Sequence, residues 1–286
     1  MTYEYFLIRL EQKIQEKLKE GEAVKSVQVL KNNGVELDGF SYYVEGHRER
    51  PTVYVNHYYQ EDLSEEELGE IADAVLKIQR ECGLLPQQGI EQMMDFRIMR
   101  KRICCRLISR EKNEALLEEV PWLPWLDLAI VFYLQIPEQV VEHATALVYT
   151  SHMDYWGVTL EEIYHAAAEN MAEVQVFLEP MEAFLGDMGF EPLSSGMHIL
   201  SNSRKMFGAG VIIAPKVQRM CLKQLGESFY ILPSSIHELI LLPESLATTR
   251  AELDQLIREV NEACVSREEY LSDHAYYYSA EKKTVE

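Results

Sequence analysis

The sequence predicts an α+β fold: antiparallel sheets with packed helices, in one or two closely associated lobes. Three observations carry this. Apolar residues fill 47% of the 286 positions while glycine (14) and proline (10) are scarce, so the chain can bury a sizeable core. Helix-like and strand-like segments come in mixed order rather than regular alternation. Their connections are mostly of hairpin length, which favours antiparallel pairing.

Taken in order, residues 2–20 place Tyr5, Ile8, Ile14 and Leu18 near one helical stripe, with Leu7 and Leu10 beside it and Gly21 as a stop. Three strand-like runs follow at 24–30, 36–46 and 51–59, the first two joined through Asn33-Gly34, where both residues tolerate positive φ. Ser64-Glu65-Glu66-Glu67 is a capping box and opens a helix to about Cys82, before a loop with Pro86 and Gly89. Residues 102–109, 126–136 and 145–153 are rich in β-branched and aromatic residues and predict strands. Between the first two, "EVPWLPWLD" predicts an anchored loop with Trp122 and Trp125 packed inward, because its prolines exclude a regular central strand.

Thr159 to Glu162 caps a helix reaching about Val174. Residues 198–202 and 208–215 predict strands joined by a basic turn, and a short helix follows that Gly226 ends. "SFYILP" and "HELILLPE" predict extended segments, and Thr249 to Glu252 caps a helix to about Cys264. Ser266 to Glu269 repeats the capping pattern before a strand at Tyr276, Tyr277 and Tyr278, and the last residues predict a frayed tail. A lobe boundary, if there is one, falls near residues 155–160, giving lobes 1–157 and 158–286.

Forty-seven acidic residues against twenty-seven basic ones give a net charge of -20. Such a surface repels phosphate backbones and anionic lipid, which disfavours ordinary nucleic-acid and membrane binding. It leaves plain solubility, or imitation of nucleic acid by a chain that occupies a basic groove. The five cysteines (82, 104, 105, 221, 264) form no Cys-x-x-Cys, and the adjacent Cys104 and Cys105 point to opposite faces of a strand. They predict buried, reduced thiols. The first residues lack a basic signal-peptide region, and the apolar runs fall short of the ~20 residues that span a bilayer. A soluble cytoplasmic protein is expected.

The chemistry centres on His237-Glu238, preceded by Ser234 and Ser235. A zincin needs His-Glu-x-x-His, and here the last position is Leu241. A serine-hydrolase elbow needs flanking glycines, and neither serine has one. The pair therefore predicts a proline-bounded turn feeding a strand, with a pocket lining as the sharper alternative. His152, Asp154 and His165 make a conceivable metal set, but their spacing is loose and a hydrogen-bonded surface or core histidine is the better expectation for each. Gly208-Ala209-Gly210 precedes a strand-like run instead of following one, so close backbone contact explains it better than phosphate binding. No cofactor motif is present.

The segments "VLKNNGVELDGFSYYVEG", "PTVYVNHYYQ", "GVTLEEIYHAAAENM", "MFGAGVIIAP", "SFYILPSSIHELILLPES" and "EEYLSDHAYYYS" together resemble an uncharacterised family of proteins from gut-dwelling Firmicutes, known only as a domain of unknown function. The resemblance covers nearly the whole chain and implies a bacterial intracellular protein. It carries no activity, ligand or catalytic residue. The leading expectation is a non-enzymatic interaction or regulatory protein with a protein partner. A hydrolase or small-molecule enzyme built around His237 and Glu238, with His152 or Asp154, is the second reading, and an acidic DNA mimic the third.

Overall fold

The computed structural model describes residues 1–44, 52–81, 95–136, 145–183 and 196–286. Its chain divides into two units, Met1–Lys31 with Val35–Gln92, and Asn32–Gly34 with Met93–Glu286. The first opens with helix α1 (Tyr3–Glu16), where the Thr2 hydroxyl accepts the Tyr5 N–H at 3.3 Å. Its buried line is Phe6, Leu10 and Ile14, four residues apart, while Tyr5 and Ile8 are 50% and 55% exposed. The buried stripe thus lies to one side of the expected one. Strands β1 (Glu22–Leu30) and β2 (Glu36–Val44) pair antiparallel in full register. Asn33 (φ 58°) and Gly34 (φ 67°) supply the two positive φ angles of their turn.

Strand β3 is only Val53–Tyr54, paired with Gly39 and Phe40. The strand expected over 51–59 stops there because Asn56–Tyr58 wind into a 3-10 turn. Helix α2 (Glu65–Glu81) starts at the expected capping box: Glu67 Oε2 accepts from the Ser64 amide (2.8 Å) and hydroxyl (2.7 Å). Leu68, Ala72, Val75 and Leu76 of α2 close the core with the α1 line and with Phe40 and Tyr42. At the edge of this core Glu22 pairs with Arg80 at 2.7 Å, and the Arg80 hydrogen bond pulls the Glu22 carboxyl down to about 2. Cys82, Pro86 and Gly89 lie outside the described residues.

The second unit begins with the short helix α3 (Phe96–Met99) and strand β4 (Ile103–Ser109), then the short helix α4 (Glu114–Leu117). Strands β5 (Trp122–Trp125), β6 (Leu128–Gln135) and β7 (Thr145–Leu147) complete a sheet in which β6 pairs with the other three. The Trp122–Trp125 segment is therefore a strand, not a loop. Pro124 is tolerated because β5 pairs on one side only. The turn is Leu126-Asp127, with Leu126 at φ 54°, and carries no turn signal of the Asn-Gly kind.

The strand expected to run to residue 153 ends at Leu147, and helix α5 (Thr150–Trp156) replaces the rest. Helix α6 (Leu160–Glu173) starts at the Thr159 capping box and packs Ile163, Ala166 and Ala167 into the same core as β4 and β6. The expected boundary at 157/158 thus falls inside the second unit.

A second sheet runs in the order β13-β12-β10-β11-β9-β8, all antiparallel. Its strands are β8 (Val176–Pro180), β9 (His198–Asn202), β10 (Phe229–Pro233), β11 (Leu239–Pro243), β12 (Tyr276–Ser279) and β13 (Thr284–Val285). Helix α7 (Pro215–Leu225) ends at Gly226 with φ 82°, and α8 (Arg250–Cys264) sets Leu253 and Ile257 against Leu232 and Leu242. Residues Gly208–Ile213 form a 3-10 turn where a strand was expected. A Cβ on Gly210 would stand 3.3 Å from the Arg106 Cα and the Cys105 carbonyl oxygen, so this turn lies close against β4. No described helix is long and apolar enough to cross a membrane.

Candidate functional site

His237 and Glu238 sit in the loop between β10 and β11, and the backbone of that loop is tied at several points. The Ser235 amide donates to the Glu238 carbonyl (3.2 Å) and the Ile236 amide to the Glu269 carbonyl (2.8 Å). The Ser201 hydroxyl donates to the His237 carbonyl (2.7 Å), and the His237 amide to the Ser235 hydroxyl (3.0 Å). The Ser234 hydroxyl reaches Glu238 Oε1 only at 3.5 Å. Both serines therefore serve the turn, and among the described contacts neither hydroxyl meets the His237 ring.

The imidazole is held from its other side. Nδ1 accepts the Phe207 amide N–H at 3.1 Å, so the ring proton of the neutral form sits on Nε2, which faces Glu269 Oε1 at 3.6 Å. Burial lowers the His237 pKa, outweighing the upward pull of Glu269 and Glu238, so the ring is neutral at pH 7. It stacks on Phe207 with centroids 5.5 Å apart and planes 13° from parallel. Phe207 holds a left-handed conformation (φ 53°, ψ 29°), which costs a bulky residue about 1–2 kcal/mol and needs such fastening.

The other face of Phe207's environment is built by the first sheet. Cys104 pairs with Tyr133 and Arg106 with Val131, so Cys104, Arg106 and Tyr133 share a sheet face by the two-residue period of strands. The Arg106 guanidinium lies 4.7 Å from the Phe207 ring centre, and Tyr133 meets the same ring edge-on at 4.9 Å. Among the described residues Arg106 makes no ion pair and donates no hydrogen bond, and its Nε is sealed from solvent with no acceptor. Densely crowded by protein atoms and only partly exposed as a residue, it has its pKa lowered to about 10 by that burial, against the opposing fields of Tyr133, Glu268 and Tyr149. Burial also pushes up the Tyr133 hydroxyl and lifts the Cys104 thiol to about 11 and Cys105 to about 12, so all three keep their protons.

The remaining candidates are placed elsewhere in the unit. His152 and Asp154 stand on α5 rather than at a strand end, and two residues apart on a helix they do not face each other. His152 Nδ1 accepts the Tyr149 amide (3.1 Å), and burial lowers its pKa. His165 on α6 is exposed, 3.7 Å from Glu161. No group of three or more His, Cys, Asp or Glu among the described residues is placed to hold a metal ion. A cavity of about 350 Å³ opens beside Cys105, Tyr164, Met171, Gly210, Ile213 and Arg219, and none of the seven candidates lines it.

Arg106, Phe207, Tyr133 and Tyr149 were not singled out from the sequence. A signal for the first was present in "ICCRLIS", where one arginine interrupts a mostly apolar strand, and a charge at such a position needs a partner. No curated protein and no solved structure matches the chain. A family of unknown function, DUF5688, matches residues 3–280, and the chain belongs to that family.

Proposed function

We propose that the chain is a non-enzymatic binding or regulatory protein of the bacterial cytoplasm. The observation that carries this is the commitment of His237: its Nδ1 is used by the Phe207 amide, and the neighbouring serine hydroxyls are used by their own turn. The ring works as a clamp on Phe207, where a nucleophile–base pair would need a serine within hydrogen-bond reach of an available nitrogen. The net charge of -20 favours a protein or small-molecule partner over nucleic acid. The test compares wild type with His237→Asn and Glu238→Gln on p-nitrophenyl acetate and p-nitrophenyl phosphate. Equal background rates in all three are expected. A wild-type rate that falls tenfold or more in the folded His237→Asn protein would establish the hydrolase reading instead.

A further inference from the structure

We propose that the groove between α6 and the start of α7 binds a small carboxylate with a hydrocarbon body, its head held by Arg219 and its chain laid on Met171, Ile213 and Pro215. The inference names a ligand class for the binding function above and rests on that reading.

The groove is the cavity of about 350 Å³, within the range of about 300–1,000 Å³ that small-molecule clefts occupy. Cys105 is buried at its floor, while Ala168, Ala172 and Arg219 are exposed at its rim, so a ligand can enter from solvent. Apart from the Tyr164 hydroxyl, the Cys105 thiol and two cations, every side chain lining it is hydrocarbon or thioether. Burial raises the Cys105 thiol to about 12, so the floor carries no charge. Alanine at 168 and 172, one helical turn apart, keeps the α6 wall low and leaves room for a chain beside Met171.

Charge narrows the ligand. The chain has 47 acidic residues against 27 basic ones, yet this groove is lined by Lys216 and Arg219 and by no carboxylate. The two cations stand three residues apart on α7 and so share one side of it. The Lys216 ammonium is spent on structure: it donates to the Ala172 carbonyl, one of the last four of α6, which no longer have helical partners. Arg219 is uncommitted, with no ion pair and no hydrogen bond among the described residues, and it offers five N–H donors. Ala214, Pro215 and Lys216 open α7 at the groove with no capping side chain, so the positive end of the helix adds to the field of the cations. One free guanidinium above an apolar floor fits a single carboxylate head on a hydrocarbon body. A bare anion would leave the walls unused, and a dianion would be repelled more strongly by the acidic surface around the groove.

The experiment follows the full chain labelled with 13C-methyl methionine, whose Met171 signal is assigned from Met171→Leu. Octanoate is titrated at pH 7.5 and constant ionic strength, with octanamide, acetate and inorganic phosphate as comparison probes. Octanoate should shift the Met171 methyl saturably with Kd about 0.1–1 mM, as expected of so small a ligand in an open groove. Octanamide should bind at least threefold more weakly, and acetate and phosphate at 10 mM should leave the signal in place. Arg219→Gln should weaken octanoate by about three- to tenfold and Arg219→Glu by more. Ala168→Phe, at an exposed helix position, should fill the groove and remove the response. No saturable Met171 shift with octanoate, or an unchanged shift in folded Ala168→Phe, overturns the site. Equal binding of octanamide, indifference to both Arg219 variants, or an equal response to acetate or phosphate overturns the ligand class. Proton NMR of the incubated octanoate separates this proposal from the reading it rests on. Unchanged ligand is expected, whereas chemical conversion would end the non-enzymatic reading and leave the groove as the binding site.

Discussion

Gly208→Ala tests whether the loop that presents His237 is locked as tightly as its contacts imply. A methyl group added at Gly208 would run into the Ser201 hydroxyl and the His237 carbonyl oxygen, and would stand 2.9 Å from the Asn202 amide nitrogen. Two of these obstacles are backbone, which cannot rotate away, so β9 and the β10–β11 loop must separate. That separation also stretches the Ser201 to His237 hydrogen bond, now 2.7 Å. Overpacking of a closed core costs about 1–3 kcal/mol, and a lost hydrogen bond about 1 more. The expected loss is about 2–4 kcal/mol, or about 5–15 °C in the melting of a unit this size.

Gly157→Ala is the control. Gly157 has φ 67° but nothing within 4 Å of the added methyl, so only the left-handed strain applies, about 1 kcal/mol. Ser201→Ala combined with Gly208→Ala should recover only part of the loss, because the carbonyl obstacle stays. The assay is urea unfolding followed by near-ultraviolet circular dichroism, which reports the aromatic packing around Phe207. A Gly208→Ala protein as stable as Gly157→Ala would refute the close packing of this loop.

Two further outcomes are expected. Burial holds His237 and His152 below the ordinary histidine pKa, so between pH 7 and pH 5 the unfolded chain takes up protons that the folded chain refuses. Stability must then fall as pH falls through that window. His237→Asn keeps an acceptor for the Phe207 amide and removes the titration, so urea midpoints should show a shallower fall, and an unchanged slope would contradict this account. In the first unit Glu22 acts lower on the scale: its stabilisation is present above pH 4.5 and lost as pH falls toward 2. Asn33→Gly preserves the turn's positive φ but removes a side chain that donates to the Arg267 (2.8 Å) and Tyr270 (2.7 Å) carbonyls and accepts from Asn113 Nδ2 (2.8 Å). Leaving one buried and two part-buried partners unpaired should cost about 2–5 kcal/mol by the same urea assay, and a loss under 1 kcal/mol would show that solvent replaces them.

Elements whose cause is local could be read directly. Thr159 and Thr249 each close a capping box with a glutamate three residues on, and Asn33-Gly34 turns a hairpin because those two residues accept positive φ. Strands β4, β6, β10 and β11 were evident because each is a mostly apolar run, buried at all but one position. The errors fell where a neighbour distant in sequence overrides local preference. Val211, Ile212 and Ile213 favour a strand by composition, but Gly208 and Gly210 allow the chain to press against β4 and the β10–β11 loop, and it winds there instead. Pro124 argues against a strand until the sheet supplies an edge on which its missing N–H costs nothing.

The candidate site divides the same way. His237 and Glu238 were visible as a polar pair in an apolar frame, but the role of the histidine depends on Phe207, thirty positions earlier, whose amide it accepts. Arg106 joins them only because β4 places it on the face that Phe207 covers. Composition and short-range pattern determined the class of fold, the sign of the surface charge and most helix ends, because those follow from each residue's own chemistry or that of its neighbours along the chain. The meeting of Arg106, Phe207 and His237 is a matter of packing between two sheets, and only the folded chain brings those residues together.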